Sequence, residues 1–336
     1  RARAQASAIV ALAGPEEGEL IAQALRRGAQ EYLVRPWLRA PDLSREILRL
    51  ILQAIERKQR QDHPDAGVGA DEDGGVPVFP RSEDGDYALS FQPWAELDGG
   101  TICGVEALLG GRPGQGSPRD ILRAAESRGS LDSLSHWVLR RAAPTWLEWR
   151  ARKVAPPRLS VNIAPSELHA RHFARSRLGL IQELGLSPGE LQIELAEDAL
   201  LGAGVKALAE LQALRSAGIA VVADNVGRSQ VALLDLARLP LDGIKLDITL
   251  IEATRLNDGA ARAAIRGLVA MCNERGISCC AVGVEIARDY ASSRELGVHL
   301  IQGFWVARPQ TAAASGAWLA RCMPSGQREL RFGEHG

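Results

Sequence analysis

Ile219-Ala220-Val221-Val222-Ala223-Asp224-Asn225-Val226-Gly227 is an apolar run that stops on two polar side chains and a glycine. A run of that length and branching reads as a buried strand, with the polar residues placed where the chain leaves the sheet for a loop. Six further segments share the form. They are 102–108 carrying Glu106, 159–163 with Asn162, 191–197 with Glu194, 243–248 with Lys245, 277–285 ending on Glu285, and 299–304 with Gln302. Seven apolar strands thus each deliver one oxygen- or nitrogen-bearing side chain.

Helical periodicity fills the intervals between them, at 133–150, 204–217, 230–239 and 260–275. Strands alternating with helices at this spacing predict a parallel sheet with crossover helices. The strand count and the size of the segment from 87 to about 315 favour an α/β fold closed into a (β/α)8 barrel over an open sheet. In such barrels the active groups sit at the carboxyl ends of the strands, because the loops there converge on one mouth.

Glu106, Asn162, Glu194 and Asp224 offer three carboxylates and one amide, and Glu285 adds a fourth carboxylate. An all-oxygen set without His or Cys suits a hard divalent cation, Mg²⁺ or Mn²⁺, better than zinc. Converging carboxylates repel one another unless a metal, a lysine or a proton compensates, and Lys245 is the obvious cation contributed by a strand end. The set fits metal-assisted phosphodiester hydrolysis. Any one of these acids alone reads more simply as a helix cap or a salt-bridge partner; their occurrence on successive strands carries the functional reading.

Length and composition set outer limits. The chain has 336 residues, 46% of them hydrophobic, enough for one large domain and something smaller. Forty basic residues against forty-one acidic ones leave a net charge of −1, which argues against a nucleic-acid duplex or an anionic membrane as partner. The five cysteines, Cys103, Cys272, Cys279, Cys280 and Cys322, show no paired ligand spacing and read as reduced thiols in a cytoplasmic protein. No run approaches the length of a membrane span. The chain begins on Arg1, consistent with a fragment of a longer protein. Trp137, Trp146 and Trp149 at helical spacing read as packing residues, and His169 with His172 as surface residues.

The first sixty residues read as a small β-α-β-α lobe, with strands at 8–13 and 31–34 and helices at 16–27 and 42–60. Within it, Arg27-Gly28-Ala29-Gln30-Glu31-Tyr32-Leu33-Val34-Arg35-Pro36 resembles the closing half of a response-regulator receiver domain, which usually reads "GAxDYLxKP". Arg35 replaces the usual lysine, and the half that would carry the phospho-accepting aspartate is missing. The lobe is therefore read as a partial receiver used for packing, and its open sheet edge predicts a homodimer. Residues 61–86, rich in Gly, Asp, Glu and Pro, read as a flexible linker. Residues 316–336 read as a tail, with a short helix over 318–322.

Across 87–309 the residues carry a second resemblance. Phe91-Gln92-Pro93-Trp94 followed by Val105-Glu106-Ala107-Leu108-Leu109 is similar to the opening of the EAL domain of cyclic di-GMP phosphodiesterases. Further matches follow in order: Ser160-Val161-Asn162, Glu194-Leu195-Ala196-Glu197, Asp224-Asn225-Val226-Gly227, Leu239-Pro240-Leu241-Asp242, Ile244-Lys245-Leu246-Asp247, Gly283-Val284-Glu285, Gln302-Gly303 and Arg308-Pro309. The resemblance implies that Glu106, Asn162, Glu194, Asp224 and Glu285 match metal positions and that Lys245 engages the catalytic water. It also implies that Gln92, Leu108, Gln302, Arg308 and Pro309 lie around the nucleotide, and that Glu197 tethers the loop after Asp224.

Where active members typically read "DDFGTGYSSL", this chain has Asp224-Asn225-Val226-Gly227-Arg228-Ser229-Gln230-Val231-Ala232-Leu233. Asn225 removes one negative charge from a site meant for two dications. Gly110 stands where a phosphate-binding arginine is expected, a loss of about 1.5 to 3 kcal/mol for a charge-assisted hydrogen bond. Val282 stands where an acid is expected. The leading expectation is therefore a degenerate EAL protein, holding one ion or none, that serves cyclic di-GMP signalling as a receptor or as a scaffold for a signalling partner. The alternatives are a working phosphodiesterase that releases linear pGpG, and an interaction module that binds no nucleotide.

Overall fold

After two consecutive strands at Tyr87–Glu96 and Ile102–Gly111, helices and strands alternate as far as Cys322, and the strands close on themselves. The computed structural model describes residues 10–13, 31–34, 87–111, 118–127, 130–170, 172–228 and 233–322. The chain divides into two units, Arg1–Gly75 and Val76–Gly336. In the first, β1 (Val10–Ala13) pairs in parallel with β2 (Glu31–Val34), Val10 opposite Glu31 and Ala13 opposite Val34. The expected lobe helices, most of the receiver-like phrase and the linker lie outside the described residues.

In the second unit eight strands form a closed barrel. These are β3 (Tyr87–Glu96), β4 (Ile102–Gly111), β5 (Arg158–Asn162), β6 (Leu191–Ala196), β7 (Ala220–Val226), β8 (Gly243–Leu246), β9 (Ser278–Val282) and β10 (Leu300–Gln302). Helices α1 (Pro118–Ser127) and α2 (Leu131–Ala151) connect β4 to β5, and α3 (Phe173–Glu183) connects β5 to β6. Between β6 and β7 run α4 (Glu197–Leu201) and α5 (Val205–Ser216); α6 (Leu233–Arg238) then leads to β8. The chain continues through α7 (Ile248–Arg255) and α8 (Gly259–Arg275) to β9, through α9 (Ala287–Glu295) to β10, and into α10 (Ala312–Cys322). The last helix contains the stretch 318–322 read as helical from the sequence and begins earlier, at Ala312; its Leu319 is fully buried in the apolar cluster of the barrel.

One strand corrects the all-parallel expectation. β3 runs antiparallel to both β4 and β10, while every pairing from β4 round to β10 is parallel. The reason is local: Gly99 and Gly100 take φ of 96° and 68°, which lets the chain reverse between β3 and β4 without a crossover helix. A tight reversal of this kind joins antiparallel strands.

Side chains alternate across each strand. One set, including Val105, Val161, Ile193, Leu195, Val221 and Ile244, is at most 1% exposed and belongs to one apolar cluster with Leu139, Trp146, Leu211, Leu214 and Ile265 from the helices. Trp146 and Trp149 lie in that cluster, and Trp149 meets Phe91 edge-on at 5.0 Å, so both serve packing. Trp137 meets Tyr87 edge-on at 5.7 Å. All five cysteines are free thiols. The opposite set carries the buried polar side chains Gln92, Glu106, Ser160, Gln192, Glu194, Lys245 and Gln302, interspersed with apolar ones such as Trp94 and Val222.

Candidate functional site

Lys245, on β8, is the hub of the barrel interior. Its Nζ donates to Glu106 Oε2 of β4 at 2.7 Å and to the Glu194 carboxylate of β6 at 2.6 Å. The lysine is 3% exposed, Glu106 7% and Glu194 1%, so three charges meet where water is nearly absent. Burial works against the Lys245 ammonium, but the negative charges of Glu106, Glu194 and Asp224 outweigh it and hold its pKa above the ordinary range. The ammonium ion is thus a fixed feature of the site at any physiological pH.

The remaining ligands of Glu106 come from both neighbouring sides. Asn162 Nδ2 donates to Glu106 Oε1 at 2.7 Å, and Gln302 Nε2 donates to Oε2 at 2.8 Å. Burial raises the Glu106 pKa, yet the Lys245 charge and the hydrogen bonds from Lys245, Gln302 and Asn162 prevail and keep it below its ordinary value. Gln92, opposite Glu106 on β3, sends its Nε2 to Ala307 O at 3.1 Å and lies 3.4 Å from Gln302 Nε2. The bond to Ala307 O ties the layer of Glu106 and Gln302 to the segment carrying Arg308 and Pro309. Both of these are exposed, and the Arg308 guanidinium stacks 4.0 Å above the Phe304 ring. Leu108 and Gly110 fall on the same face of β4 as Glu106 and are half-buried.

Glu194 is braced from beneath by residues that strand-end reasoning overlooked. Ser160 Oγ and Gln192 Nε2 donate to Glu194 Oε1 at 2.5 and 3.1 Å. Each sits two residues before a strand-end residue, Asn162 or Glu194, and so one layer deeper on the same face; that spacing was the available signal. Below Lys245 lies Trp94, with its ring centroid 5.7 Å from Nζ, close enough for a cation–π contact. Room for the ring depends on Gly104 opposite, where a Cβ would stand 2.1 Å from Trp94 Cζ2.

Asp224 and Asn225 sit at the end of β7, both half-buried. Asn225 adopts φ of 57°, a left-handed conformation that asparagine tolerates better than most residues. Its Nδ2 donates to Asp224 Oδ2 at 2.7 Å. Beyond it, Gly227 N donates to Glu197 Oε1 at 3.3 Å, which fastens the start of the loop to the buried Glu197. Glu285 is placed differently from the other expected ligands. No hydrogen bond or ion pair among the described residues joins it to Glu106, Glu194 or Lys245, and its carboxylate instead faces Arg255 at 3.7 Å.

Charge is not balanced here. Lys245 supplies one positive charge against Glu106, Glu194 and Asp224. The excess appears in the pKa values: burial first, then the charge of Glu106, pushes Glu194 up to about 7 despite Lys245, and burial likewise raises Asp224. Among the described residues no three His, Cys, Asp or Glu side chains stand grouped as a ready-made metal cage. By chemistry the donor set still fits a hard divalent cation, since its oxygens are of the right type and carry surplus negative charge that such an ion would neutralise. No helix among the described residues is long and apolar enough to cross a membrane.

Comparison with known proteins agrees with this architecture. The chain is 30% identical over 258 residues to the cyclic di-GMP phosphodiesterase RocR of Pseudomonas aeruginosa, covering 75% of this chain and 64% of RocR. It is 30% identical over 238 residues to an uncharacterised signalling protein of Caulobacter vibrioides, covering 70% of this chain and 29% of that one. The chain thus spans less than two thirds of these relatives' length. Among solved structures, the PaMucR phosphodiesterase in complex with c-di-GMP superposes with a TM-score of 0.64 at 27% identity, covering 68% of this chain and 94% of that one. The EAL domain of Mycobacterium smegmatis DcpA gives a TM-score of 0.60 at 25% identity, covering 73% and 100%. The family model for the EAL domain matches residues 79–309, more than half of the sequence. Fold, strand-end residues and sequence match agree that the chain belongs to the EAL-domain family.

Proposed function

We propose that the barrel mouth binds cyclic di-GMP and serves as a receptor or partner-binding scaffold, with little or no hydrolysis. Support for the ligand comes from relatives named as cyclic di-GMP phosphodiesterases and from the c-di-GMP complex of PaMucR. The observation that carries the loss of hydrolysis is the Asn225 amide directed at Asp224 Oδ2. An N–H donor there occupies the carboxylate and brings no charge, so the surroundings of Asp224 favour at most one dication.

In this reading Glu106, Asn162, Glu194 and Asp224 hold a single Mg²⁺ or Mn²⁺. When bound, that ion would polarise a phosphoryl oxygen of the nucleotide. Lys245, kept protonated by its two carboxylates, donates hydrogen bonds and orients a water or a phosphate oxygen; it does not act as a base. Gln302 presents an unpartnered, buried Oε1 next to Glu106 and Gln92, an acceptor free for a nucleotide or water donor. Leu108, Arg308 and Pro309 flank the base, and Glu197 fixes the loop through Gly227. A second copy of the chain or a signalling protein would then read the occupied state.

Retention of Glu106, Asn162, Glu194 and Lys245 in one hydrogen-bonded cluster favours a second reading, an active phosphodiesterase. Calorimetric titration with cyclic di-GMP, with and without Mg²⁺ or Mn²⁺ and followed by analysis for linear pGpG, separates the two. Saturable binding without product supports the receptor. Rapid conversion overturns it, and absence of binding under both conditions removes both readings.

A further inference from the structure

On its side away from β4, strand β3 is only partly covered. Phe91 uses both backbone groups on that edge: its N–H donates to Gln310 O at 2.7 Å, and its O accepts from Gln310 N at 3.0 Å. Backbone groups alternate between the two edges of a strand, so Leu89, two residues earlier, aims its N–H and C=O the same way. Strand β10 pairs only with Trp94–Glu96, and no hydrogen bond among the described residues reaches Leu89 on this edge. A half-buried apolar strand with an open edge is a template for another strand.

A groove of about 360 Å³ runs beside that edge, between Tyr87, Leu89 and Phe91 of β3, Trp137 and Arg141 of α2, and Ala312 at the start of α10. Further along, α10 itself occupies the space: a Cβ at Gly316 would stand 2.6 Å from Trp149 Nε1, and Leu319 is fully buried. The groove is the stretch beside α2 that α10 does not reach. It lies on the outer face of β3, since Leu89 and Phe91 alternate with Gln92, which faces the barrel interior beside Gln302. The groove is therefore separate from the residues of the barrel mouth.

We propose that this groove receives the chain's own segment Arg328-Glu329-Leu330-Arg331-Phe332, laid antiparallel to β3 with Leu330 opposite Leu89 and Phe332 opposite Tyr87. The segment lies outside the described residues, and its sequence fits the place. Pro324 and Gly326 break the helical run after Cys322, and Leu330 and Phe332 then alternate with Glu329 and Arg331, the period of a half-buried strand. Glu334 falls on the same face as Leu330 and Phe332, the face toward Arg141, whose guanidinium stacks on Trp137 at 5.8 Å. Length permits the return. From Cys322 back to Ala312 is about 15 Å of helix, and Leu89 lies about 7 Å beyond Phe91 along β3. The steps from Cys322 to Leu330 span about 27 Å when extended. A chain returning past Ala312 meets Phe91 before Leu89, which sets the antiparallel direction.

The test is hydrogen exchange of the Leu89 amide in the 336-residue chain, read by mass spectrometry with residue-level fragmentation. Ser90, whose backbone groups face β4, is the internal reference. Phe332→Asp, and separately Leu330→Asp, should speed exchange at Leu89 by about tenfold or more while leaving Ser90 unchanged, as for a local opening. Phe332→Leu, which keeps an apolar side chain, should retain the protection. Protection should also be the same at low and high protein concentration. Exchange at Leu89 that neither aspartate variant changes overturns the inference, as does acceleration at Ser90 as well, which marks a general loosening. Protection that grows with concentration, together with a dimer in light scattering, gives the groove to a second copy and overturns it too. None of these readouts involves nucleotide or metal, so they stand or fall apart from the proposed function.

Discussion

Asn225 donates its side-chain amide to Asp224 Oδ2 at 2.7 Å, and it does so from a left-handed backbone conformation at the end of β7. The conformation and the hydrogen bond fit together, because asparagine is among the few residues that occupy this region at low cost. Aspartate shares that tolerance, so Asn225→Asp should fold. Without metal it exchanges a donor for a second anion beside Asp224, and the protein should melt at a lower temperature. With Mn²⁺ the added charge should tighten binding by about tenfold or more, equivalent to about 1.4 kcal/mol. Melting curves and Mn²⁺ titrations check both halves, and a rise in both apo stability and ion affinity would contradict the argument.

Lys245 balances two buried carboxylates, and its removal strands them. Lys245→Met keeps the volume and deletes the charge, so stability should fall by about 3–5 kcal/mol, the usual result of breaking a buried ion pair by losing one partner. A dication can substitute for the missing ammonium, so millimolar Mn²⁺ should restore part of the loss in the variant and change the unaltered protein less. Denaturant unfolding with and without Mn²⁺ measures both. Equal stabilities of the two proteins in chelator would mean that the lysine bridge contributes nothing.

The strand-end residues were legible in the sequence because each interrupts an apolar run where a barrel strand meets its loop, a local signal. The orientation of β3 was less so: Gln92 and Trp94 were visible as part of a motif, but its antiparallel course depends on the turn at Gly99 and Gly100. Ser160 and Gln192 follow from the two-residue alternation once the functional face is known, although neither ends a strand. The Arg255–Asp289 ion pair is a contact between residues 34 apart on different helices, with no periodicity linking them. The same limit applies to the contact of Glu285 with Arg255 of α7 at 3.7 Å, which no local pattern announces.

Trp94 should report on the packing beneath Lys245. A Cβ at residue 104 would lie 2.1 and 2.2 Å from Trp94 Cζ2 and Cη2 and 2.8 Å from Arg158 O, so Gly104→Ala must displace the indole or the neighbouring strand. Overpacking of this kind costs about 1–3 kcal/mol. A lower melting temperature together with a changed near-ultraviolet circular dichroism band from tryptophan is expected. An unchanged spectrum and melt would show that the ring moves freely and is no platform for the lysine.

His299 gives the barrel a pH dependence separate from the site. Its Nδ1 accepts from Cys279 N at 2.9 Å, and its Nε2 lies 2.8 Å from Asn273 Oδ1, so a neutral ring protonated on Nε2 satisfies both partners. Partial burial holds its pKa below the ordinary 6.5. The unfolded chain therefore takes up a proton just below pH 6.5 that the folded protein still refuses, and stability must fall as the pH drops through that value toward the lowered one. Above pH 6.5 both states are neutral and the residue adds no slope. His299→Asn should melt below the unaltered protein at pH 7.5, having lost a ring that bridges β9 and α8, and the gap should narrow as the pH is brought to 5.5. A gap that stays constant or widens on acidification would mean that the ring is already protonated in the fold.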